Sequence, residues 1–148
     1  MTMKLLGISG SLRKASTNTA LVRAAAEAAG DVDFTLADID LPLFNDDVEA
    51  AGYPAKVEAF VAAIRAADAI VMSGPEYNKN ISGVLKNALD WQSRFKPGPL
   101  TDKPVAIVSA AAGRSGGELT QFSLRHCLTP FVAHGMQQPP RANGYDYC

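Results

Sequence analysis

The sequence predicts an α/β fold, a parallel sheet with helices packed on both faces. Three observations predict it: short runs that are apolar along nearly their whole length, alanine-rich stretches of helical spacing between them, and Gly, Pro, Ser or Asn at the junctions. A strand buried on both faces reads as a continuous apolar run rather than an alternating one. Parallel neighbours also need a long crossover, most often a helix.

Taken in order, Lys4–Ser9 (KLLGIS) is the first such run, closed by the Ser-rich stretch Gly10–Thr17. Helical spacing begins at Asn18, with Leu21, Val22, Ala25 and Ala28 or Ala29 on one face and Gly30 as the stop. Asp33–Ala37 (DFTLA) alternates as a second strand, and the Pro-, Asp- and Asn-containing stretch Asp38–Asp47 is expected to be loop. A second helix begins near Pro54; Val57, Phe60, Val61 and Ile64 form its apolar stripe, while Lys56, Glu58 and Arg65 face water.

Ala69–Ser73 (AIVMS) is the third strand, ended by Gly74-Pro75. Ser82 suits the N-cap of a third helix running to Arg94, with Val84, Leu85, Ala88 and Leu89 inward. After the loop Lys96–Lys103, Val105–Ser109 (VAIVS) is the fourth strand. Glycines at 113, 116 and 117 precede a fourth helix that Pro130 kinks or ends, and His134–Gln138 is expected as the last strand.

A chain of 148 residues is expected to form one domain, spanning 1–148, with no linker or internal repeat. Its net charge of −1 creates no global positive field, so no nucleic-acid partner is expected and any anion must be held by a local site. The apolar run at the amino terminus is over by Ser9, too short for a signal-peptide core or a membrane span; a soluble, cytoplasmic protein with no membrane partner is expected. Cys127 and Cys148 match no CxxC or zinc-ligand spacing, and two free thiols are expected rather than a disulfide or a metal site.

In an open α/β sheet, ligands bind outside the carboxyl ends of the strands, where strand order reverses. Polar and small residues collect after strands one, three and four. The first loop packs Ser11, Arg13, Ser16, Thr17, Asn18 and Thr19 into the entrance of a helix. Helix N-termini offer unpaired N–H groups and partial positive charge, so a phosphate fits there; a solvated turn with a Ser or Asn cap would use the same residues. The loop lacks both GxxxxGK[ST] and GxGxxG, which argues against a mononucleotide P-loop and a dinucleotide-binding turn. A terminal monoester phosphate among hydroxyls and the Arg13 guanidinium suits these residue types better. After the third strand, Pro75 stiffens a turn, Tyr77 offers an aromatic wall and Asn78 both donor and acceptor, a set suited to a flat heteroaromatic ring. After the fourth, Ser109–Gly117 is built of small residues that let backbone approach a ligand.

These residues resemble the NAD(P)H-dependent FMN reductase family, which includes quinone, chromate and azo-compound reductases. The resemblance rests on Gly10-Ser11-Leu12-Arg13 with Ser16 and Asn18, on Pro75-Glu76-Tyr77-Asn78, and on Ser82 through Trp91 (SGVLKNALDW), continues through Lys103-Pro104-Val105 and Gly113–Gly117 to the Leu124-Arg125 region, and covers residues 4–138. It implies a flavodoxin-like three-layer sandwich with a five-stranded parallel sheet in the order 2-1-3-4-5. It implies one FMN per subunit, with the phosphate held by Ser11, Arg13, Ser16, Asn18 and Thr19, the ring against Pro75, Glu76, Tyr77 and Asn78, and Ser109, Gly113 and Gly117 near the far edge. NADPH or NADH would deliver hydride to the flavin, and a quinone, free flavin or similar small acceptor would then take the electrons. No side chain need act as acid or base, so no catalytic residue is assigned. The helix bearing Trp91 resembles the subunit interface of a homodimer or homotetramer.

Members of that family continue into another helix, whereas the stretch Pro139–Cys148 has no helical period, so a shortened or altered terminus without the last helix is expected. Arg13, Lys79 and Arg114 are three candidates to meet a 2′-phosphate, and the sequence does not choose among them. Beside a folded but inactive or purely scaffolding protein whose altered terminus abolishes flavin binding, two rival readings exist. Gly7-Ile8-Ser9-Gly10-Ser11 approaches a hydrolase nucleophile elbow but fails at its last glycine. The other is a non-enzymatic flavodoxin-type electron carrier; such carriers are usually strongly acidic and this chain is near neutral.

Overall fold

The computed structural model describes residues 1–131 and 134–135. Four strands of five to seven residues, β1 (Met3–Ser9), β2 (Val32–Leu36), β3 (Ala69–Ser73) and β4 (Pro104–Val108), form a parallel sheet in the order β2-β1-β3-β4. A two-residue segment, β5 (His134–Gly135), pairs in parallel with Pro104 and Val105 on the outer side of β4. The rest of the expected last strand, residues 136–138, and the stretch 139–148 lie outside the described residues. This is the flavodoxin-like α/β fold with a parallel sheet. Among the described residues, no helix is long and apolar enough to cross a membrane.

The alternation of side chains along each strand divides the core between two faces. Leu6 and Ile8 of β1, Ile70 and Met72 of β3, and Val105 and Ile107 of β4 point to one face. They meet Val57, Phe60 and Ile64 of α3 (Ala55–Ala66), Leu85, Ala88 and Leu89 of α4 (Gly83–Ser93), and Leu124 and Leu128 of α5 (Glu118–Leu128). Burial of such side chains is worth about 1.5–3 kcal/mol each, so this face dominates the stability of the fold. On the other face, Leu5 and Val71 pack against Val22 and Ala26 of α1 (Thr17–Ala28). At Gly7 the helix sits directly on the strand: a Cβ there would come within 2.4 Å of Val22 Cγ1 and 2.7 Å of the Phe34 ring.

The buried stripe of α1 is Asn18, Val22 and Ala26, spaced four apart from the Ser16 cap, so Ala28 and Ala29 are exposed rather than inward as expected. A second correction concerns the loop expected over Asp38–Asp47. Its end winds into a short helix, α2 (Asp46–Ala50), started by Asn45, whose side chain accepts the Asp47 N–H at 2.8 Å, and helped by acidic Asp46, Asp47 and Glu49 at its positive end. Pro130 falls in a 3₁₀ turn (Thr129–Phe131) that closes α5.

The loop before α2 is strapped to α4. Asn87 Oδ1 accepts the Phe44 N–H at 2.8 Å, its Nδ2 donates to Pro42 O at 3.0 Å, and the Trp91 indole N–H donates to the same carbonyl at 2.7 Å. Trp91 is fully buried, edge-on to Phe44 with ring centroids 5.0 Å apart. It is therefore core of this chain. Cys127 is a free, half-buried thiol; burial pushes its pKa up, which keeps it protonated and a poor nucleophile. Cys148 lies outside the described residues.

Candidate functional site

The loops after β1, β3 and β4 meet at the carboxyl edge of the sheet and enclose a cleft of about 360 Å³. It is lined by Ser11, Arg13, Ser16, Thr17 and Asn18 from the first loop and helix end, by Pro75, Glu76 and Tyr77 from the second, and by Ala110, Ala111 and Ala112 from the third. A cleft at this edge follows from the strand order: β1 and β3 lie side by side, so the chain leaves them toward opposite sides and opens a gap between the loops.

The first loop is organised by the start of α1. Ser16 is the N-cap, its Oγ accepting the Thr19 N–H at 3.1 Å. Thr17 and Asn18 follow, and their amides have no carbonyl one turn back to bond. Arg13 folds back over the loop, one guanidinium nitrogen donating to Ala15 O at 2.7 Å, while its side chain stays exposed. The Thr19 hydroxyl donates to Ser9 Oγ at 2.7 Å, and Thr19 lines not this cleft but a neighbouring hollow with Lys14 and Arg23.

The second loop ends in a tight hairpin turn. Tyr77 and Asn80 exchange both backbone hydrogen bonds at 3.0 Å, and the two residues between them, Asn78 and Lys79, have φ of 51° and 64°. Two central residues with positive φ make a type I′ turn, which favours Asn-Gly. The turn leaves Tyr77 57% exposed at the cleft and carries Asn78 to its tip. Lys79 holds the position where glycine is preferred. Lys79→Gly is therefore expected to raise stability by about 0.5–1 kcal/mol, read as a higher urea midpoint with unchanged slope.

The second and third loops are bolted to each other and to α5. Ser109 Oγ donates to Gly74 O at 2.7 Å, Thr120 Oγ1 to Pro75 O at 3.2 Å, and the Leu119 N–H to Glu76 Oε2 at 3.2 Å. That last bond puts a carboxylate on the positive end of α5. Gly117, the N-cap of α5, has φ 85° and lies against Ser109, where a Cβ would approach its Oγ to 2.0 Å. Gly113 is exposed and accepts the Gly116 N–H.

Of the residues singled out from the sequence, Ser11, Arg13, Ser16, Asn18, Pro75, Glu76 and Tyr77 share the cleft. Thr19, Asn78, Ser109, Gly113 and Gly117 stand behind or beside it. Ala110, Ala111 and Ala112 line it as part of the small-residue stretch Ser109–Gly117, and Thr17 lines it beside Ser16; none of the four is among the residues that the resemblance assigns to FMN. The donor set suits FMN: hydroxyls, free helix amides and a guanidinium for a phosphate monoester, and beside them Pro75 and an exposed tyrosine for a flat ring.

The model of a family described as NADPH-dependent FMN reductase matches residues 3–144 of this chain. An NAD(P)H-dependent FMN reductase of Pseudomonas aeruginosa is 48% identical over 142 residues, covering 93% of this chain and 75% of that protein. A quinone reductase of Escherichia coli is 39% identical over 146 residues, covering 96% and 78%. Among solved structures, the flavoenzyme NAD(P)H:(acceptor) oxidoreductase FerB of Paracoccus denitrificans gives a TM-score of 0.86 at 33% identity, over 95% of this chain and 78% of that one.

Proposed function

This chain belongs to the NADPH-dependent FMN reductase family, and we propose that its cleft holds FMN and serves hydride transfer from NAD(P)H to a quinone, free flavin or similar small acceptor. The observation that carries the reading is the convergence on one cleft of Ser11, Arg13, Ser16 and Thr17 with Pro75, Glu76 and Tyr77. FMN held there would supply the redox chemistry, relaying two electrons from nicotinamide to acceptor.

The protein's part is to bind, orient and shield. Arg13 neutralises the phosphate, and Ser11, Ser16 and the first amides of α1 donate to it. The Ser16 oxygen already accepts from Thr19 N–H, which leaves its own proton to donate. Pro75, Glu76, Tyr77 and Asn78 form the wall for the ring, kept rigid by the type I′ turn and by the bonds to α5. Ser109, Gly113 and Gly117 support the far edge as backbone shape, Ser109 through its bond to Gly74 O.

The same reading takes the chain as a single flavodoxin-like domain, with β5 as the beginning of a full fifth strand beyond β4, supported by its two parallel pairs. It places the protein in the cytoplasm as a homodimer or homotetramer. Exposed Leu12, Tyr77, Leu119 and Phe122 supply apolar surface for a second copy.

Steady-state assays test the activity. NAD(P)H oxidation that requires both FMN and a quinone is expected; protein that binds FMN but oxidises neither nicotinamide would be an electron carrier instead. Arg13→Ala is expected to raise the Kd for FMN about 10- to 100-fold while leaving riboflavin binding, which lacks the phosphate, unchanged. Flavin fluorescence titration checks this.

A further inference from the structure

We propose that Asn18 is a positioning residue that locks the three loops of the cleft together, and that this bracing, rather than a phosphate contact, is its main contribution to flavin binding. The proposal rests on the FMN reading above. Asn18 lines the cleft yet is only 3% exposed. Its Oδ1 accepts the Ser73 hydroxyl at 2.7 Å and the Ala110 N–H at 2.9 Å, and its Nδ2 donates to Ala110 O at 3.0 Å. A carboxamide has two lone-pair sites on oxygen and two N–H donors. Both lone pairs and one N–H are thus committed to protein.

The orientation of the amide is fixed from both sides. Ala110 presents an N–H and a C=O to the same side chain, so exchanging oxygen and nitrogen would set donor against donor and acceptor against acceptor. Flipping the amide would leave the Ser73 hydroxyl and both Ala110 groups unmatched in a buried place, at about 1–3 kcal/mol for each orphaned group, so only the second N–H of Nδ2 is left to offer a ligand.

The three bonds join three elements through one side chain. Asn18 stands in the first turn of α1, Ser73 ends β3, and Ala110 opens the loop after β4. Ser73 also accepts the Gly10 N–H at 2.6 Å, which draws in the loop after β1. Ala110, Ala111 and Ala112 line the cleft with no polar side chain of their own, so their place depends on backbone partners such as Asn18.

The FMN-to-riboflavin affinity ratio separates positioning from phosphate contact. Wild-type protein, Asn18→Ala, Ser73→Ala and Arg13→Ala are each stripped of flavin and titrated with FMN and with riboflavin, and each is melted. Asn18→Ala is expected to raise both Kd values by a similar factor, about tenfold, leaving their ratio near wild type, whereas Arg13→Ala raises only that for FMN. Ser73→Ala removes one of the three bonds and keeps Asn18. It is expected to show the same parallel loss more weakly, and it carries the test if Asn18→Ala does not fold. Loss of FMN affinity in Asn18→Ala with riboflavin unaffected overturns the proposal, as does unchanged affinity for both flavins in both variants. Wild-type protein that binds neither flavin overturns the FMN reading and the proposal with it.

Discussion

Trp91→Ala is expected to destabilise the fold by about 3–5 kcal/mol, a large fraction of the stability of an ordinary domain. The indole is fully buried between α4 and the loop before α2, and its N–H is bonded to Pro42 O at 2.7 Å. Truncation removes the packing against Phe44, opens a cavity and leaves a carbonyl short of one partner. Trp91→Phe keeps most of the apolar volume and loses mainly the N–H, so its cost is expected near 1–2 kcal/mol. Denaturation followed by circular dichroism serves both variants, since Trp91 is the chain's one tryptophan. Equal small losses in the two would mean that the residue is not the core element described here.

Gly117→Ala is expected to cost about 2–5 kcal/mol and to weaken flavin binding at the same time. Two penalties combine. At φ 85° a side chain meets the left-handed strain of about 1–2 kcal/mol, and the new Cβ would fall 2.0 Å from Ser109 Oγ and 2.8 Å from Ser109 Cβ. Relief requires Ser109 to move, and its hydroxyl holds Gly74 O at the base of the second cleft loop. Gly116→Ala provides the contrast, because φ there is 59° but nothing lies within 4 Å of the added Cβ. It should show the backbone strain alone. The double variant Gly117→Ala with Ser109→Gly should recover part of the loss, a non-additivity that identifies the contact.

The strands were legible because burial on both faces leaves an uninterrupted apolar run, as in AIVMS and VAIVS. The cleft was legible in outline because strand order alone brings the loops after β1 and β3 together. Helix α2 was not, since it buries no residue and so leaves no periodic stripe; Asn45 followed by Asp46 and Asp47 was its only trace. The hairpin turn was hidden because Lys79 stands where a type I′ turn favours glycine. The partners of Asn18 and Ser109 were out of reach for a different reason. Asn18 meets Ala110 across 92 positions and Ser109 meets Gly74 across 35, distances at which no local pattern marks a hydrogen bond. A buried structural amide and a phosphate ligand therefore look alike in sequence.

The most direct test of the account is a visible spectrum of the FMN-loaded protein before and after addition of NADPH or NADH without oxygen. The bound-flavin bands are expected to bleach on addition of the nicotinamide and to return when a quinone is admitted. Failure to retain FMN even at large excess, or retained flavin that neither nicotinamide bleaches, would contradict it.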